Sequence, residues 1–205
     1  STSINEGFGF SFLEPWLFGK LLWGRNLADI CRDFESNGIR LQHLYRALYV
    51  PLEWIGLQQF RHKWHSCALK AGALFNISIP ASRLQDAFEI MTSNGRIDFG
   101  LLDEAFQKMI ISHVLSERTA RDRLIHLNPY LLDPGYVSNK EVLIQNNMKA
   151  VLLNYNKTVY KEKLSEIYSR VVNFSVQQSI DKKILISYFF KPETFSLLKW
   201  GDYAE

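Results

Sequence analysis

Two cysteines in 205 residues, Cys31 and Cys67, are too few for a disulfide framework. Short catalytic and phosphate-binding signatures are missing as well. Neither G-x-G-x-x-G nor G-x-x-x-x-G-K-[ST] occurs, and there is no G-x-S-x-G elbow and no C-x-x-C pair. Enzymes that declare themselves in such motifs are therefore excluded, and no cofactor is expected. The most apolar stretch, Phe8 to Trp23, is interrupted by Glu14, Pro15 and Lys20. It falls short of the roughly 20 apolar residues that a spanning helix needs, so no membrane span is expected. No basic segment leading into an apolar core opens the chain, which makes a reducing, cytoplasmic compartment the expectation. One-sided charge is also lacking: 24 basic residues face 21 acidic ones. From Lys140 onward the balance is ten basic against seven acidic, mixed along the segment as on a solvated surface.

Histidine is sparse, with five residues, and only His62 and His65 stand close together. On a helix they share a side at i and i+3, with Cys67 two residues further. A metal site needs three or four ligands, and Arg61 and Lys63 beside them oppose a cation, so no metal is expected. Residues 87–106 have the Gly-x-Ile spacing of a calcium-binding loop. Counted from Gly95, the ligand positions fall on Ile90, Thr92 and Leu101, which supply no carboxylate. Two helices joined by an Asn94-Gly95 turn are expected there instead.

Aromatic residues are abundant, with 14 Phe, 9 Tyr and 5 Trp. Many crowd into the first 24 residues, where Phe8, Phe10 and Phe12 alternate with small residues and would share one side of an extended strand. Trp16, Phe18 and Trp23 follow. More large rings stand here than a short segment buries alone, so these six residues are a candidate partner-binding surface.

Helical periodicity dominates the rest. Leu27, Ile30, Cys31 and Phe34 predict a helix over 26–35, stopped by Asn37-Gly38. Leu41, Leu44, Tyr45 and Leu48 predict another from about Ile39 to Pro51. A longer one is expected over 52–75 with Trp54, Ile55, Leu57, Phe60, Trp64 and Leu69 inward, then one over 83–92. Asp98 is read as the cap of a helix carrying Leu101 to Val114. Residues 142–153 read either as two strands or as one helix. Tyr160, Leu164, Ile167, Tyr168 and Val171 predict a helix over 158–172, and Ile184–Phe190 reads as a short strand. The expectation is a mainly α single domain over 1–205. It comprises an aromatic arm (1–24), a helical core (26–127) and a helical or mixed C-terminal region (140–205). The arm and the C-terminal third are where a small sheet would arise.

Ser116 to Leu127 reads SERTARDRLIHL. A Ser-x-x-Thr start followed by basic residues, with Leu124 turned inward, resembles the recognition helix of bacterial helix-turn-helix repressors. The resemblance covers about a dozen residues. It implies that Arg118, Thr119, Arg121 and Arg123 face DNA while Ala120 and Leu124 pack. In the preceding helix, Ile110 and Val114 stand where that motif places small residues. With catalytic constellations missing, the first expectation is a non-enzymatic adaptor or chaperone-like subunit of a bacterial multiprotein assembly, such as a specialised secretion system. It would bind protein partners in a hetero-complex. The alternative is a DNA-binding regulator.

Overall fold

A computed structural model describes residues 9–133, 136–174 and 179–200. The chain is mainly α with one small sheet. Its described α-helices, in order, are α1 (Glu14–Leu17), α2 (Ala28–Ser36), α3 (Leu57–Leu74), α4 (Ala81–Met91), α5 (Glu104–Ser116), α6 (Arg118–Leu127), α7 (Lys140–Asn154), α8 (Lys157–Asn173), α9 (Lys182–Phe189) and α10 (Leu197–Trp200). Two strands, β1 (Tyr49–Pro51) and β2 (Arg96–Asp98), pair antiparallel with Val50 opposite Ile97. The sheet thus lies in the middle of the chain, not in the arm or the C-terminal third. Residues 142–153 form part of one helix, and 184–190 are helical through Phe189 rather than a strand.

The chain divides into two compact units, Ser1–Arg46 with Leu132–Ser179, and Ala47–Leu131 with Ile180–Glu205. The first unit is built on Phe12, Leu13, Trp16, Leu22, Cys31, Phe34, Ile39, Leu41, Leu44, Ile144 and Val151, all buried. Its first described residues, 9–12, are not a strand. Gly9 sits at φ 69°, where a Cβ would come within 2.7 Å of the Phe34 ring and 2.8 Å of Ile30 Cγ2. Glycine is there for close approach to α2, and the chain then turns through Phe10–Phe12 in a 3-10 turn. The alternation of rings and small residues therefore marks a tight turn, not a pleat.

The predicted helix from Ile39 is also absent. Leu41 and Leu44 are buried, but residues 39–48 are irregular. Their backbone groups are satisfied from a distance, which removes the need for helical hydrogen bonds. The fully buried side chain of Asn147 on α7 accepts from Arg40 N–H (2.8 Å) and donates to Arg40 C=O (2.9 Å). Tyr45 N–H donates to Gly24 C=O (3.0 Å), and Asn26 N–H donates to Tyr45 C=O (2.7 Å). Asn154 on α7 donates to Asn37 C=O (3.0 Å).

The second unit packs α3, α4 and α5 around Phe60, Trp64, Phe88 and Phe106, with Val50 and Ile97 of the sheet. The α3 helix begins after Gly56, whose φ of 67° breaks the run from residue 52. Leu57 and Leu69, expected inward, are exposed, while Cys67, Ala68, Ala71 and Gly72 form the buried face. Asp98 does not cap α5. Its carboxylate accepts from Gly100 N–H (3.1 Å) at a 3-10 turn, and the chain runs extended through Leu102. Asp103 is the cap, accepting from Phe106 N–H (3.0 Å) and pairing with Lys63 Nζ at 2.8 Å. As expected, α4 stops where Asn94 and Gly95 turn left-handed, at φ 60° and 66°. Trp64 donates its indole N–H to Phe195 C=O (3.3 Å), tying the C-terminal segment to this core.

The same unit holds a second buried asparagine. Asn128 donates to Tyr49 C=O (2.7 Å) and Leu124 C=O (2.8 Å), and its Oδ1 accepts from Tyr49 N–H (2.8 Å) and Tyr130 O–H (3.1 Å). It anchors β1 to the end of α6. Asn-Pro in a sequence is by itself only a loop marker, and nothing in the pair announces these contacts.

Candidate protein interaction surface

The α8 helix starts from a well-made cap. Asn156 Oδ1 accepts from Thr158 N–H (2.9 Å) and Val159 N–H (3.0 Å), covering donors that a helix leaves open at its first turn. Its amide nitrogen donates back to Leu152 C=O (2.9 Å) and Leu153 C=O (3.1 Å) at the end of α7. One side chain thus serves both helix ends. Seventeen residues at 1.5 Å each make α8 about 26 Å long.

No residue of α8 is buried. Its apolar residues nevertheless follow the predicted spacing. Tyr160, Leu164, Ile167, Tyr168 and Val171 lie on an arc of about 100° around the helix, the width of a face that ordinarily meets a core. Tyr160 is 68% exposed and Val171 63%, with Ile167 and Tyr168 also open and Leu164 half-buried among them. Such a stripe is a face made for packing, and among the described residues nothing buries it. It was visible in the sequence as a helix. That it would stay uncovered was not, because spacing reports which residues share a face and not what lies against it.

Of the six aromatic residues of the arm, the five described ones do not share one exposed surface. Phe12 and Trp16 are core residues of the first unit, with Trp16 edge-on to His43 at 6.0 Å between ring centroids. Trp23 is half-buried against Tyr45 (5.3 Å). Phe10 and Phe18 are exposed, Phe18 at 76%, and Phe8 lies outside the described residues.

The arginine-bearing helix α6 exposes Arg118, Thr119 and Arg121, while Ala120 is buried and Leu124 half-buried. Arg123 is paired with Glu53. Glu117 alone separates α5 from α6. The repressor motif has a turn of three or four residues at that place.

His62 is exposed and His65 half-buried, whereas Cys67 on the same helix is fully buried. Among the described residues, no group of three or more His, Cys, Asp and Glu is placed to hold a metal ion. Burial raises both thiols, Cys31 and Cys67, above their ordinary pKa. A cavity of about 250 Å³ opens between residues 76–80, Arg83 and Phe190, lined mostly by apolar atoms. Among the described residues, Arg83 is its one titratable lining group. No described helix is long and apolar enough to cross a membrane. No family model matches the chain, and no curated protein or solved structure matches it either.

Proposed function

We propose that this chain is a non-enzymatic protein–protein interaction subunit, an adaptor or chaperone-like component of a cytoplasmic multiprotein assembly. The observation that supports it is α8, a capped helix with a core-like apolar stripe and no buried residue. Exposed apolar stripes of this extent ordinarily mark a partner site, because leaving them in water forgoes burial worth about 25 cal/mol per Å². Phe10 and Phe18, both exposed on the arm, extend the same reading to a second surface.

The test is isolation of the tagged chain, at native abundance, from cells that make it. Wild type is compared with a Leu164→Asp, Ile167→Asp variant and with a Phe10→Ala, Phe18→Ala variant, each shown by circular dichroism to be folded. The reading predicts a stoichiometric complex that the α8 variant loses. A wild-type chain recovered as a free monomer would remove the reading's support.

A further inference from the structure

The residues that border the α8 stripe say what kind of partner suits it. Leu164 and Val171 repeat at seven residues, as do Tyr160 and Ile167, and the alternate spacing of four, three and four is that of a coiled-coil seam. In heptad terms Leu164 and Val171 occupy a, and Tyr160 and Ile167 occupy d. The positions beside the seam then carry Lys161 on one border and Lys163 and Arg170 on the other. Glu162 and Glu166 fall on the outer face with Ser165 and Ser169, and Glu166 pairs with Arg170. Among the described residues, neither Lys161 nor Lys163 has an ion-pair partner. Apart from Lys157 at the head of the seam, charge on α8 is therefore sorted: basic beside the stripe and acidic behind it.

Sorted charge chooses among occupants. In a parallel pairing of two α8 helices, Lys163 would face Tyr168 and form no ion pair. In an antiparallel pairing it would face Arg170, a like-charge contact. A second copy of this chain therefore gains no complementary ion pair at Lys163 in either arrangement. A lipid surface is the other occupant that basic borders could serve, but helices lying in that interface carry Trp, Phe and Leu on the apolar face and a polar face rich in Lys and Arg. The α8 stripe has one Leu among Tyr, Ile and Val and no Trp or Phe, and Glu162 and Glu166 lie on its outer face. From this geometry we infer that α8 docks an amphipathic helix of a partner protein whose apolar seam is bordered by Asp and Glu. The inference rests on the interaction reading above and specifies its chemistry.

The test uses the full chain and two synthetic probe peptides of about three heptads, both with Leu at the seam positions. One has Glu at every bordering position and the other has Lys. Binding is read by fluorescence anisotropy at low and high salt, with vesicles of phosphatidylserine and phosphatidylcholine as a separate arm. The chain is expected to bind the Glu peptide, more weakly as salt rises, and to bind the Lys peptide at least roughly tenfold less well. A Lys161→Glu, Lys163→Glu variant should reverse that preference, and Leu164→Asp should abolish binding of both. Equal binding of the two peptides, or binding of neither, overturns the inference. So does retention on anionic vesicles that Leu164→Asp abolishes. Failure here is distinct from failure of the interaction reading. If the native complex survives the two lysine reversals but is lost with Leu164→Asp, the partner stands and its acidic borders do not.

Discussion

Each compact unit is tied together by one fully buried asparagine that bridges the N–H and C=O of a single distant residue, Asn147 to Arg40 in the first and Asn128 to Tyr49 in the second. The device is the same, but the surroundings differ. Asn128 has two further partners, Leu124 C=O and Tyr130 O–H, and it holds a strand whose Val50 enters a core of Phe, Trp and Met side chains. Among the described residues Asn147 bonds Arg40 alone, and it holds an irregular loop over a core to which α8 contributes no buried residue. In the second unit α3, α4 and α5 each bury a face, although single apolar side chains such as Ile111 and Leu115 stay exposed. In the first, α8 carries a five-residue apolar stripe and buries no residue, which is the surface the proposed function uses.

This contrast can be broken at several points. The largest effect is expected at Trp64, fully buried and ringed by Phe88 and Phe195. Trp64→Ala should cost about 3–5 kcal/mol in urea unfolding and should speed thiol labelling at Cys67 more than at Cys31. Those two cysteines, buried one in each unit, serve as internal reporters. In the native chain both should resist thiol reagents, because burial hinders access and disfavours the thiolate. Next comes the asparagine pair. Asn128→Ala should destabilise by about 3–4 kcal/mol and Asn147→Ala by about 2–3 kcal/mol, since each unmade buried hydrogen bond adds to the loss. Equal costs would show that the extra partners of Asn128 contribute nothing.

A pH-dependent difference follows from His43. Its Nε2 lies 2.8 Å from Leu22 C=O, which can only accept, so the proton is assigned to Nε2. Burial holds the imidazole below its ordinary pKa, and the carbonyl only partly opposes this. Between the two pKa values the unfolded chain binds more protons, so stability falls as pH drops below about 6.5. A urea titration at pH 7.5 and 5.5, repeated with His43→Gln, should show the loss in wild type and a smaller one in the variant. The smallest effect on stability is expected on α8 itself. Ile167→Asp, at an exposed position of the stripe, should change the unfolding free energy by only about 0.5 kcal/mol, while removing the partner.

Legibility from the sequence tracked how local each interaction is. The spacing in α8 predicted 158–172 and the helix spans Lys157–Asn173, because its cap and its i, i+4 neighbours all lie within the segment. The Asn94-Gly95 stop was equally readable, from left-handed backbone that those residues tolerate. The run from Ile39 was misread because its periodic leucines are buried by a loop whose hydrogen bonds come from Asn147, more than 100 residues away. Gly9 was misread for a related reason. Its neighbour is the Phe34 ring, and nothing within GFGF announces a contact with α2. The candidate site was half legible: the stripe could be read from spacing, whereas its exposure depends on what the rest of the fold does not cover.

The central claim is that α8 is covered in the working assembly, and tyrosine footprinting tests it most directly. Hydroxyl-radical labelling of the purified chain is compared with labelling of the chain in its native complex, reading Tyr160 and Tyr168 on the stripe against Tyr188, which is exposed on α9. Strong protection of Tyr160 and Tyr168 in the complex, with Tyr188 unchanged, is the predicted result. Equal labelling of Tyr160 and Tyr168 in the two states would contradict the account.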